Sequence, residues 1–155
     1  MLYHISKLSQ DDQELVKKAP LLVSILVAGS DGEIEKEEIE RAVSLIHTKS
    51  FSEASDIRHL YKEIDHDVES TLNLIIGSLP TDAAEREKVL SDELAGLNTI
   101  FAKLDAQIAT DFYNSLRKFA VSVAQVSGGI LGMGSINYQE KEMVKLPMLT
   151  APGSH

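Results

Sequence analysis

Apolar residues recur along this chain with the period of an α-helix almost from end to end, and strand-like alternation is nearly absent. "SQDDQELVKKA" opens a first helix, with Ser9 as its N-cap and Asp12 three residues later as a weak capping-box partner. Pro20 fits the first turn of a second helix, "PLLVSILVAGS", apolar nearly all round and therefore central. Ile39, Ala42, Val43 and Ile46 then repeat at the spacing of an amphipathic helix, as do Ile57, Leu60, Tyr61 and Ile64. Val68, Leu72, Ile75, Ile76 and Leu79 mark the next, closed by Pro80. Thr81, with Glu85 nearby, begins a long helix through Leu90, Leu94, Leu97, Phe101 and Leu104. Another runs through Ile108, Phe112, Leu116, Phe119, Val123 and Val126 until Gly128 and Gly129 stop it. "INYQEKEMVKL" forms a short last helix.

The pattern predicts an all-α fold, a single-domain bundle of about eight helices with short connections. The domain is expected to span residues 1–146, and residues 147–155, "PMLTAPGSH", to form a loose C-terminal tail. Comparing the two ends reveals an internal repeat. "LLVSILVAGSDG" parallels "RKFAVSVAQVSGG", and "GEIEKEEI" aligns with "GSINYQEK", placing Ile34 on Ile136 and Glu38 on Glu140. The second copy carries a Gly-rich insertion and has Ser127 where the first has Asp31. Two pseudo-symmetric helical halves are expected, one functional and one degenerate.

Composition narrows the chemistry. Hydrophobic residues make up 43% and charged residues 25% of the 155 positions, the balance of a folded chain. A formal net charge of −9 argues against gripping phosphate backbones, and Lys and Arg form no basic stripe. Metal cations or basic protein partners are the natural ligands; nucleic acid is not. Cysteine is absent, which excludes disulfides and thiolate metal sites. No secretory signal is visible, and the longest apolar run, Leu21 to Gly29, is far short of the ~20 residues a membrane helix needs. A cytoplasmic protein without direct membrane insertion is expected.

Six carboxylates fall between Asp31 and Glu40, directly after that apolar run. Asp31-Gly32-x-Ile34-x-x-x-Glu38 reproduces the second half of a calcium loop: Gly permits the sharp turn, Ile points inward and Glu faces the ion. The first half is missing, because Val27 and Gly29 stand where the early acidic ligands belong, so a complete EF-hand is rejected. The plainer reading is a helix N-terminus. Asp31 would cap it, and Glu35, Glu37 and Glu38 would complement the positive end of the dipole.

"LVAGSDGEIEKEEIE", with its degenerate echo before the final helix, resembles the TerB-like family, named for bacterial tellurite resistance. The signature of that family is Ala-Asp-Gly, a hydrophobic residue, and Glu in the next helix; here Ser30 replaces the Ala. Motif resemblance covers residues 20–45 and 117–145, and the middle matches only in helical character. The resemblance implies an all-helical fold of two related halves and a divalent metal bound through acidic residues near the turns. It also implies a cytoplasmic stress-response role beside other tellurite-resistance or membrane-associated proteins. Carried over, it implicates Asp31 and Glu38 first, with Glu33 and Glu35 nearby and only Glu140 in the second copy. One site, suited to Ca²⁺, Mg²⁺ or Mn²⁺ ahead of Zn²⁺, is the implied arrangement.

A second candidate metal set is His59, Glu63 and His66, at i, i+4 and i+7, opposed by the ordinary reading of a polar helix face. "SGGILGMGS" follows a helix and lacks a Lys after it, so it is not a P-loop. No context marks an activated Ser or Thr, and the chain is not expected to be an enzyme. Three functional readings remain: a cation-binding module acting through protein partners, a metal-dependent hydrolase using the same carboxylates, and a metal-free helical scaffold.

Overall fold

A computed structural model describes residues 2–29, 34, 36–52, 55–130 and 142–153. Every regular element among them is helical. They are α1 (Leu2–Ile5), α2 (Gln10–Ala28), α3 (Lys36–Ser52), α4 (Ser55–Asp65), α5 (Val68–Ser78), α6 (Ala83–Ala95), α7 (Leu97–Lys103) and α8 (Ala106–Ile130). Six of these have eleven residues or more; α1 and α7 are short.

Helix α2 begins as the sequence predicts, with Ser9 Oγ accepting the Asp12 amide at 3.2 Å. From Ala19 to Ala28 every residue is buried, because α8, α6 and the other helices surround it. Pro20 does not start a new helix here; it lies inside α2. A proline in a helix interior costs about 3 kcal/mol. Each fully buried Leu, Ile or Val returns about 1.5–3 kcal/mol, and this stretch holds Leu21, Leu22, Val23, Ile25, Leu26 and Val27, all no more than 2% exposed. Tertiary burial therefore outweighs the local break.

The long helix expected over residues 81–104 is instead divided at Gly96. Helix α6 is capped one residue later than expected, by Asp82, whose Oδ2 accepts the Glu85 amide at 3.0 Å. It stops where Leu15 of α2 presses on the backbone: a Cβ on Gly96 would lie 3.1 Å from Leu15 Cδ2 and 3.2 Å from Glu93 O. Gly128 and Gly129, expected to end α8, lie within it. Glycine weakens a helix by about 1 kcal/mol relative to alanine, which is not enough to stop a packed one.

The apolar stripes read from the sequence form the interior. Buried residues from Ile5 to Leu149 make one continuous cluster drawn from all eight helices and from Leu146 and Leu149 after them. Phe101 meets Phe112 and Tyr113 edge-on, with ring centroids 6.3 and 6.1 Å apart. Tyr61 is buried with its hydroxyl 3.3 Å from Ser115 Oγ. Among the described residues, no helix is long and apolar enough to cross a membrane.

The tail expected to be loose is docked across residues 147–153. Leu146 and Leu149 are buried, and one side chain holds the backbone on either side of Leu149. Asn98 Nδ2 donates to Met148 O at 3.0 Å, and Asn98 Oδ1 accepts the Thr150 amide at 2.9 Å. The expected last helix, residues 136–146, falls largely outside the described residues. Asn98→Ala should abolish protection of the Thr150 amide in hydrogen exchange while leaving the amides of α2 protected. Retained protection at Thr150 would mean that Leu146 and Leu149 hold the segment without the clamp.

Candidate functional site

The junction between α2 and α3 brings charge into an otherwise apolar part of the interior. Among the described residues only two charged side chains are buried, Glu38 and Arg86, each 7% exposed. Glu38 lies in the first turn of α3, in register with Ala42 and Ile46, so the helix that buries those two carries the carboxylate inward with them. It lines a pocket of about 10 Å³ with Ser24, Ile25 and Ala28 of α2, Ile34, Ile39 and Ala42, and Leu72 and Ile76 of α5. That volume is at the lower limit for a single water. Glu37 and Glu40, one residue before and two after, are exposed. Among the described carboxylates of the run, two are solvated and one is turned inward.

Gly29 terminates α2, its N–H donating to Ile25 O at 2.9 Å. Arg86 reaches across from α6, and its Nη2 donates to Gly29 O at 3.0 Å. The guanidinium satisfies a carbonyl at the negative end of the α2 dipole, where a cation is favoured. A Cβ on Gly29 would sit 2.9 Å from Ile25 O and 3.0 Å from both Arg86 Nη2 and Ile34 Cγ1. The junction therefore closes on a hydrogen atom's worth of space. Ile34 is half-buried and packs on the core, as its place in the turn motif predicts.

Of the predicted ligands, Glu38 is placed here; Asp31, Glu33, Glu35 and Glu140 lie outside the described residues. The sequence reading missed Arg86. Its signal was present, since Arg86, Leu90 and Leu94 are spaced i, i+4, i+8 and all are buried. A charge in the register of an apolar stripe is a charge carried into the core.

His59, Glu63 and His66 are not brought together. All three are exposed, and α4 ends at Asp65, so His66 lies beyond the helix on which the i+7 spacing was counted. Glu63 is engaged by Lys17 at 2.7 Å. Glu63 and His66 face a groove of 460 Å³ between α2 and the α4–α5 turn, and His59 does not line it. Among the described residues no group of three or more His, Asp or Glu side chains converges as a metal set.

A second, polar groove of 820 Å³ lies between α3 and α5. Glu40, Asp65, Asp67 and Glu69 contribute carboxylates to it, and among the described residues no Lys or Arg lines it. His47 sits there with Nδ1 2.8 Å from Asp65 Oδ2 and its ring edge-on to the exposed Phe51.

With this geometry in view, the chain matches no family model, no curated protein and no solved structure.

Gly29→Ala should lower stability by about 1–3 kcal/mol in urea unfolding, because the added methyl has no room. Gly77→Ala in α5, where nothing lies within 4 Å of an added Cβ, should be neutral or stabilising. Equal losses from the two would show that close approach at Gly29 is not what shapes the junction.

Proposed function

We propose that this chain is a TerB-like helical module that takes up a divalent cation at the α2–α3 turn and acts through a protein partner. The observation that carries the reading is the burial of Glu38 at the start of α3. Burial of a carboxylate in low-dielectric surroundings strengthens its attraction for positive charge. The motif around it, Asp31-Gly32-x-Ile34-x-x-x-Glu38, is a carboxylate-rich half-loop. Its donors are oxygens in a chain without cysteine, a set that suits hard cations such as Ca²⁺, Mg²⁺ or Mn²⁺.

Within this reading Asp31 and Glu38 are the principal ligands, with Glu33 and Glu35 beside them. Glu140 belongs to a second half-motif that has lost its aspartate. The packing of α2 against α8 fits a pseudo-symmetric pair, since these are the helices preceding the two turns. A bound cation would supply positive charge to the carboxylates; the chain's own part is to hold Glu38 inward and to fix α3 relative to α2. The acidic groove on the other face of α3 suits a partner rich in Lys and Arg, through complementary charge. A stress-response role in the cytoplasm, alongside tellurite-resistance proteins, follows from the resemblance alone.

One observation favours a second reading. Arg86 already brings a permanent positive charge to the same junction, as a metal-free scaffold requires.

Calorimetric titration of Ca²⁺, Mg²⁺, Mn²⁺ and Zn²⁺ into the wild type, Asp31→Asn and Glu38→Gln separates the two. The cation reading expects binding by the wild type that weakens at least ~10-fold in either variant, about 1.4 kcal/mol of lost affinity. Negligible heats in all three, with chelator leaving the melting temperature unchanged, would establish the scaffold.

A further inference from the structure

We propose that the cavity between α7, α8 and residues 150–153 is a binding site for a small, uncharged, largely apolar molecule. The C-terminal segment forms its outer wall. No lining residue is shared with the Glu38 pocket, so the proposal stands apart from the cation reading.

The cavity has a volume of about 330 Å³. Phe101 of α7, Leu104 after it and Ala109 of α8 form one side, and Thr150, Ala151 and Pro152 the other. Folded chains hold few voids larger than a water molecule. An apolar cavity of ~150 Å³ already takes up benzene, and natural ligand pockets begin at about 300 Å³. The space exists because Ala102, Ala106 and Ala109 line it with single methyl groups. Ala102 and Ala106 are exposed and Ala109 is buried, so the cavity runs inward from the surface.

The outer wall is held under strain, yet it does not fill the space beside it. Leu146, where the chain turns into this segment, has a φ of 47°, a left-handed backbone that a bulky residue adopts only under constraint. Its side chain is fully buried, Leu149 is buried three residues on, and Asn98 fixes the backbone at Met148 and Thr150. These polar anchors lie at or before Thr150. Ala151 and Pro152 continue past them as a half-buried lip over the cavity. A wall fastened at one end opens to admit a ligand and closes over it.

The lining decides the chemistry. Among the described residues no charged side chain faces the cavity, so an ionic ligand would lose hydration without gaining a counter-charge. Lys103, next to the lining residue Ala102 in sequence, is engaged by Asp12 Oδ2 at 2.7 Å. Phe101, already edge-on to Phe112 and Tyr113, extends that cluster to an aromatic group on the ligand. Polar contacts are few. The Thr110 hydroxyl, on the α8 side, makes no hydrogen bond among the described residues, whereas those of Thr48 and Ser122 return to the carbonyl four residues back. It is free to meet one hydroxyl or carbonyl of the ligand.

Titration of the full chain with N-phenylnaphthylamine, an uncharged fluorescent probe, and with its sulfonated analogue tests the site. The neutral probe should bind at micromolar concentration, at least ~10-fold tighter than the sulfonate. Its ring protons should show nuclear Overhauser contacts to the methyls of Ala106 and Ala109. Ala102→Phe and Ala106→Phe fill the cavity from exposed positions, and each should weaken binding at least ~10-fold. Val121→Phe, at an exposed position elsewhere on α8, should leave it unchanged. Each variant is first checked for the wild-type helical spectrum.

Bound probe should also slow hydrogen exchange at the Thr150 amide at least ~threefold, because the wall closes on it. Unchanged exchange there would remove the C-terminal segment from the site. Failure of the wild type to bind, equal affinity for the sulfonate, or full binding by both folded Phe variants overturns the proposal. Each of these results leaves the cation reading untouched, since that reading is tested at Asp31 and Glu38.

Discussion

The structure turns on a buried positive charge meeting the end of a buried helix. Helix α2 is encased over its second half, so the carbonyls at its C-terminus cannot all turn to water. Orphan carbonyls in that position need donors. Gly29 N–H closes back on Ile25 O, and Arg86 supplies the Gly29 carbonyl with a donor from α6. The central helix can therefore end in the interior. Removing one member of a buried charge set typically costs about 3–5 kcal/mol, comparable to emptying a core position such as Phe112. The junction is thus as much a part of the fold as the apolar cluster around it.

Much of that fold was legible in the sequence, because helical periodicity is a burial pattern. The stripes of α4, α5 and α8 name residues that are in fact buried, including Ile57, Leu60, Leu72, Phe112 and Leu116. What the pattern did not reveal depends on neighbours distant in sequence. Pro20 reads locally as a helix start, yet burial on every side carries α2 through it. Gly96 is unremarkable in a helical stripe until Leu15, some eighty residues earlier in the chain, is packed against it. Residues 147–153 hold two prolines and a glycine, the composition of a loose end, but Asn98 pairs with two of their backbone groups as a neighbouring strand would.

The candidate site divides in the same way. Ile34 was readable from spacing as an inward residue, whereas Glu38 was read as facing an ion or the helix dipole, and its burial follows only from the packing of α3. Arg86 was overlooked because charged residues are ordinarily solvated, and its register with Leu90 and Leu94 was not weighed against that expectation. His59, Glu63 and His66 failed for the opposite reason. Their spacing presumed an unbroken helix, and α4 ends at Asp65. Spacing implies a shared face only while one helix carries it.

Helix α3 links these features. Its first turn carries Glu38 into the pocket beneath α2 and α5, while Glu40, Val43, Ser44 and His47 of the same helix line the acidic groove on its other side. A helix transmits displacement along its length because its hydrogen-bonded turns move together. Any change in what neutralises Glu38 acts on the end of the rod whose flank forms the groove wall. A charge inside and a charged surface outside are therefore joined by one rigid element, without an intervening hinge. Helix α5 closes the arrangement, contributing Leu72 and Ile76 to the pocket and Val68, Glu69, Ser70 and Asn73 to the opposite groove wall. The pocket is nearly filled, so α3 and α5 cannot both stay in place if a larger group enters it. Packing density is what would turn local neutralisation into a change of surface.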